Sequence, residues 1–428
     1  MLVKQFWRLI SLIIVIVVVL VTYFVHTGLV VAGQFPEFII KTVEGDESVI
    51  KNVEIYGDYY RNDQYSSPVT ISNTGSFYFA EQSYFQRLES SFPRNEVSKL
   101  KEKYRGFMRG KWDYPTSYFE NEKFLAYVDL QFSTRVLQTN YHQDYSLYVD
   151  VLNKSTNDSS EFKVTIPGQE GSEYFDLVDV QMTDELLKVV IKIQSYVDGG
   201  QNFAKLNVYT IDPSSKKLIG DETIGSTEEE NQENVIRWHN IELLNNLNDM
   251  HEEKNLLVMK EELEESKASV DENIAQDDTA SEIINRSLYI FNLDSLEMKE
   301  LKVSETLKEE LINANLYSDV MISDNQVYLA YLLDGKLTVL GFNLETYKEE
   351  SKVSFDVQEM GVENISDVTL KNDKVYALGL YKDNLTTANV FVGDVTSGKV
   401  LYQGEIEAKN TKDNEDTYHL EMYDLIVQ

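Results

Sequence analysis

Residues 318–344 read SDVMISDNQVYLAYLLDGKLTVLGFNL, and 48 residues further on, residues 366–395 read SDVTLKNDKVYALGLYKDNLTTANVFVGDV. Both stretches open on Asp-Val, at Asp319-Val320 and Asp367-Val368, and go on with apolar residues at every second position (Val320, Ile322; Val368, Leu370). That period is the period of a half-buried strand. Turn formers follow, Asp324-Asn325 and Asn372-Asp373, whose short side chains bond nearby backbone. Val327-Tyr328 and Val375-Tyr376 then open runs of aliphatic and aromatic residues suited to a strand near a core.

A third copy stands upstream. Asp179-Val180-Gln181-Met182-Thr183-Asp184 matches 319–324 at Asp, Val and the second Asp. Asp179, Asp184, Asp319, Asp324, Asp367 and Asn372 are therefore repeat-equivalent turn residues; of the aspartates that could form a glycosidase's carboxylate pair, Asp144, Asp150, Asp179, Asp319 and Asp367, the last three are better explained by turn capping. A small antiparallel sheet cannot bury both faces alone, so repeated sheets must stack. All-strand units recurring every 40–50 residues or so have the spacing of propeller blades.

Counting outward, the units are 49–80, 121–166, 177–224, 241–301, 319–355 and 367–406. The expected fold is all-β and β-propeller-like, with about six (five to eight) four-stranded blades. Residues 418–427 (YHLEMYDLIV) are left over as a strand, which suits completion of the N-terminal sheet and removes open edges. Residues 96–109 carry Val97, Leu100, Tyr104 and Phe107 at helical spacing, with Asn95 as N-cap, and 306–315 reads as a short helix or connector. An acidic insertion at 226–285 interrupts the fourth unit. Within it, 260–281 reads as a mobile loop, because high charge with few aromatics does not repay the entropy of ordering. A helix through 240–265 is the alternative.

Residues 9–25 are nearly unbroken apolar sequence, LISLIIVIVVVLVTYFV. Extended to Ala32, the run exceeds the ~20 residues that a spanning helix needs. Lys4 and Arg8 precede it and no acidic residue occurs before Glu37, which predicts a cytoplasmic N-terminus. The expected organisation is a cytoplasmic segment 1–8, a transmembrane helix 9–32, a stalk 33–47 and an external domain 48–428. Cysteine is absent, which removes disulfides, thiol catalysis and thiolate metal sites. A formal charge of −33 disfavours nucleic acid as a partner and attracts cations weakly.

The repeats resemble the β-propeller superfamily in general, over about 121–406, without the tryptophan-aspartate or double-glycine signatures of its named branches. The plan of an anchor followed by a divergent propeller-like domain resembles envelope proteins of Gram-positive bacteria. It implies no activity.

The five histidines lack metal spacing, and no nucleophile or phosphate-loop motif is present. Catalytic, metal and cofactor residues are therefore expected to be none. The aromatic-rich segment 56–85 offers Tyr59, Tyr60 and Tyr65 as a stacking surface, against the alternative of packed strand faces. The function expected is a membrane-anchored extracytoplasmic scaffold or sensor that binds a protein partner in the envelope. The alternative is a carbohydrate-active enzyme or wall-polymer-binding module using a pocket on a propeller face.

Overall fold

The computed structural model describes residue 7 and residues 11–19, 35–61, 65–82, 96–137, 140–167, 173–195, 203–228, 230–231, 235–245, 250–266, 282–323, 325–380, 388–409 and 418–427. Among these, the strands form six antiparallel sheets of four or five strands, in chain order. Sheet 1 contains Val53–Arg61, Tyr65–Ser72 and Gly75–Tyr78. Sheet 2 runs from Tyr118–Glu120 to Asp158–Thr165, sheet 3 from Glu173–Thr183 to Lys217–Glu228, and sheet 4 from Glu230–Asn231 to Glu297–Glu300. Sheet 5 runs from Asn315–Leu316 to Lys348–Asp356, and sheet 6 from Asn364–Lys371 to Val400–Ala408.

The two ends of the domain close the array. Tyr418–Val427 pairs with Val53–Arg61 and becomes the inner strand of sheet 1, as the sequence predicted. Phe38–Gly45 pairs with Val400–Ala408 and adds an outer strand to sheet 6. The expected stalk at 33–47 is thus in part a strand. Its FIIKTVEG pattern is ambiguous alone and is settled by a partner more than 350 residues away in sequence.

Apolar side chains alternate on the strands, so each sheet has two faces to cover. Buried clusters cover them pairwise: sheet 2 on 3, 3 on 4, 4 on 5, 5 on 6, and 6 on 1. The remaining face of sheet 2 is covered differently. The helices Glu96–Lys103 and Arg105–Met108 bury Val97, Leu100, Phe107 and Met108 on Tyr118, Leu125, Tyr127 and Leu152. The single helix expected at 96–109 is interrupted at Tyr104, and Asn95 lies outside the described residues. The helix expected after the fourth unit is Glu305–Asn313, capped by Ser304, whose Oγ accepts the Leu307 N–H at 3.2 Å.

Val235–Leu243 and Asn255–Ser266 are strands, so the helix considered over 240–265 does not form. Their alternating burial, with Leu256 and Val258 packed toward sheet 3 and Leu257 and Met259 toward sheet 5, is incompatible with one helical stripe. Residues 260–266, read as part of the acidic loop, continue that strand. Of the apolar run 9–32, residues 11–19 are described and are helical; the rest lies outside the described residues. No helix among the described residues is long and apolar enough to cross a membrane.

Candidate binding cavity between the inner strands

The inner strands of sheets 1, 3 and 6 share a local device. In each, the partner strand skips one residue: Val178 in sheet 3, Ser366 in sheet 6 and Tyr423 in sheet 1. The residue after each bulge is an aspartate: Asp179, Asp367 and Asp424. A bulge leaves a backbone N–H without its ladder partner, and the aspartate supplies one. Asp179 Oδ1 accepts from Val180 N at 2.8 Å, and Asp367 Oδ1 from Val368 N at 2.9 Å. Opposite Tyr423 stands Gly57, where a Cβ would collide with the Met422 side chain and the Glu421 carbonyl.

Asp179 and Asp367, expected in turns, therefore lie on inner strands, and Asp319 lies between the two short inner strands of sheet 5. The turns belong to their later partners. Asp184-Glu185 and Asn372-Asp373 have φ of +49° and +63°, and +52° and +58°. Paired left-handed residues form the two-residue hairpin turn whose twist matches the strands. Asp324 lies outside the described residues.

Asp367 also reaches across sheets, its Oδ2 accepting Leu425 N at 2.7 Å. Two neighbours extend the contact: Thr369 Oγ1 donates to Leu425 O at 3.0 Å and Lys371 Nζ to Val427 O at 2.7 Å. Burial pushes the Asp367 carboxyl up to about 6, helped by the adjacent Asp424 charge and opposed by the two N–H donors. Burial also raises Asp424.

A cavity of about 600 Å³ opens between sheets 4, 5 and 6. Asn240, Glu242, Glu261, Arg286, Asp319 and Asp367 are among its lining residues. Glu242, Glu261 and Arg286 in its wall are paired. Arg286 Nε and Nη2 donate to Glu261 Oε1 at 2.9 and 2.7 Å, both residues being buried. Arg286 Nη1 donates to the Ala314 carbonyl at 3.0 Å and to Leu311 O, at the C-terminal end of Glu305–Asn313. A cation there satisfies orphan carbonyls and complements the helix dipole. Asn240 Nδ2 donates to Glu261 Oε2 at 3.2 Å and Glu242 Oε1 at 3.1 Å, and Lys192 Nζ reaches Glu242 at 3.4 Å.

At the far ends of the inner strands, residues 250–254 cross toward sheets 2 and 3. Glu120 N donates to Met250 O at 2.7 Å, and Glu253 N to Gln181 Oε1 at 2.9 Å.

Glu261, Arg286 and Asp424 escaped the sequence reading. Glu261 sits in the acidic run, and only its two-residue spacing from Met259 and Leu257 marks it as strand. Arg286 bears the same spacing to Leu288 and Ile290. Asp424-Leu425 repeats the Asp-Val motif in the terminal strand.

Of the expected stacking surface, Tyr59 is 4% exposed, packed against Phe35, Phe38, Tyr78 and Tyr418. It belongs to the core because its strand is covered by sheet 6. Tyr60 is half-buried and edge-on to His419, and the Tyr65 side chain lies outside the described residues. No group of three or more His, Asp or Glu among the described residues is arranged to hold a metal ion.

Six sheets stacked in chain order and closed by the terminal strand define a propeller-like all-β protein. No family model and no curated protein sequence matches the chain. Solved structures similar to it include the Dos1 propeller, 10% identical with a TM-score of 0.27 over 64% of this chain and 57% of that one. A mutant of Synechocystis apocarotenoid oxygenase is 10% identical, with a TM-score of 0.33 over 70% of this chain and 64% of that one. An ulvan lyase, a polysaccharide lyase, is 8% identical, with a TM-score of 0.32 over 71% and 90%. This chain thus spans less than two thirds of the first two. No activity carries over at these scores.

Proposed function

We propose that this chain is a membrane-anchored extracytoplasmic scaffold or sensor that acts through protein–protein contacts in the cell envelope. The observation that carries the reading is the helix at 11–19. From Leu12 to Val19 every side chain is apolar and between 49% and 60% exposed. A helix apolar on all sides requires a nonaqueous environment, and none of the apolar clusters of the domain includes it.

Alkaline extraction of membranes from cells making the full chain tests the anchor: the protein is expected in the membrane pellet, accessible to protease from outside. Recovery in the soluble fraction overturns it. Site-specific photo-crosslinking from the domain surface tests the partner, with one reproducible adduct expected; an adduct pattern matching random abundance counts against it. A wall-polymer or carbohydrate-active role is the second reading. It is favoured by the polar cavity of about 600 Å³ and tested by glycan binding and cleavage assays with Glu242→Gln as the control.

A further inference from the structure

The segment that covers sheet 2 differs in charge from the rest of the molecule. The chain carries −33 overall, yet residues 96–114 hold Lys99, Lys101, Lys103, Arg105, Arg109 and Lys111 against Glu96, Glu102 and Asp113. The four lysines are engaged. Lys99 meets Glu96 at 3.1 Å, Lys103 meets Glu120 at 3.3 Å, Lys101 meets Asp113, and Lys111 meets Asp150 at 2.8 Å in a pair whose side chains are each 8% exposed. Arg105 and Arg109 are exposed, and neither pairs with a carboxylate among the described residues.

Three and five residues beyond Arg109 stand Trp112 and Tyr114, 62% and 65% exposed, with ring centroids 6.5 Å apart. The backbone beneath is held from below. Tyr118 Oη donates to Trp112 O at 2.6 Å, and Trp112 N donates to Tyr127 Oη at 3.4 Å. Lys111 Nζ donates to Phe107 O and lies 4.0 Å from the Phe107 ring centroid. Gly110, at φ +79°, turns the chain out of the helix. Buried tyrosines and a buried ion pair thus fix a loop that presents two rings to water. Large aromatics are normally buried, and Trp, Tyr and Arg are the residue types that dominate binding surfaces.

We infer that this platform binds an anionic polysaccharide bearing carboxylate groups. Open, fixed rings suit the face of a sugar, and the guanidinium forks of Arg105 and Arg109 suit carboxylate groups bidentately. The acidic remainder of the surface repels such a polymer, so attraction is confined to this segment. A lipid surface fits less well. Phe38, where the chain enters the sheets from the apolar helix, is level with the start of the inner strand of sheet 6, next to Ala408. The platform packs on Leu125 and Tyr127, near the opposite strand ends. The inference does not depend on a protein partner: loss of polymer binding with the crosslinked adduct intact leaves the scaffold reading standing.

The test uses the full chain in detergent micelles, carrying W7F and W238F so that Trp112 is the one remaining tryptophan. Alginate is the probe, with neutral dextran and vesicles of phosphatidylcholine with phosphatidylglycerol as the other arms. The expected result is a saturable change in Trp112 emission with alginate alone, weakened by rising salt. Arg105→Gln with Arg109→Gln is expected to weaken it about tenfold and reduce the salt dependence, and Tyr114→Ala about tenfold without changing that dependence. These side chains are exposed, so circular dichroism of each variant should match the parent. No response to alginate, a response unchanged in the arginine variant, or a response to vesicles in its place each overturns the inference.

Discussion

Sheet 1 is covered on one side by sheet 6, whereas the outer face of sheet 2, which would meet sheet 1 in a regular ring, is covered by helices. At the sheet 6–sheet 1 junction the cluster draws on both sheets and includes Leu420, Met422, Leu425 and Val427 of the terminal strand. Backbone pairing ties that strand to sheet 1, and the side chains of Asp367, Thr369 and Lys371 tie it to sheet 6. On sheet 2 the helices bring four apolar side chains, and no sheet 1 residue among those described joins that cluster. One junction closes the array with strand geometry. The other fills a face with a segment that also has a surface to present.

Deleting Tyr418–Val427 has the largest expected effect. It removes that strand's four buried side chains, each worth about 1.5–3 kcal/mol, and the inner edge of sheet 1. The sum reaches the ~5–15 kcal/mol that stabilises a typical domain. Loss of the cooperative thermal transition in circular dichroism is the expected outcome. A truncated chain melting like the parent would break the comparison, because the ring would not depend on that strand.

Leu425→Ala and Leu100→Ala sharpen it. Both leucines are buried, at 1% and 2% exposure, and the generic cost is about 2–5 kcal/mol. Leu425 is expected toward the upper end, because two sheets hold its surroundings and its own N–H and C=O are bound by sheet 6. Leu100 is expected about 1 kcal/mol lower, since a short helix can shift into part of the void. Urea unfolding of the two variants measures the difference, and equal costs would mean that the helices are as constrained as the closing strand.

How legible this was depends on the range of the deciding interaction. The hairpins of sheets 1, 2, 3, 5 and 6 were legible because turn chemistry and two-residue alternation are local, as at Asn372-Asp373. The strand at Phe38–Gly45 was not, since its partner lies at the other end of the chain. Nor was the position of Asp179, Asp319 and Asp367. Their recurrence was plain, but a bulge is a mismatch between two strands and leaves no mark in either one alone. The ion pair of Glu261 and Arg286 joins strands separated by acidic sequence, which hid both residues.

The Asp367–Asp424 contact makes the closing junction pH-dependent. Both carboxyls are raised in the folded protein, Asp367 to about 6, while the unfolded chain titrates near 4. The folded state therefore holds a proton that the unfolded state releases. This contribution is fully present below about pH 4 and is lost as pH rises through about 6. A stability loss of about 1–2 kcal/mol between pH 5 and pH 8 is expected from this site. Asp367→Asn removes the titrating group and should flatten that dependence in denaturant melts, whereas Asp424→Asn should only reduce it, since burial is the main cause of the shift. Leu100→Ala, at the helical junction, should leave it unchanged. A slope that persists in Asp367→Asn would place the titration elsewhere.

Thr369→Val tests the smallest element of the latch. The substitution nearly preserves volume and deletes one hydroxyl that donates to Leu425 O. Leu425 N and O both face Asp367 and Thr369 of sheet 6, so the bond lost is the one that this hydroxyl makes. The loss is then one net hydrogen bond, about 1 kcal/mol, read from the shift in unfolding midpoint. Amide exchange gives a sharper reading: protection should fall along residues 420–427 and stay unchanged on the helices at 96–108. A uniform drop would mean that the closing strand has no local stability of its own. A local one would show that sheet 6 holds it by side chains as well as by packing.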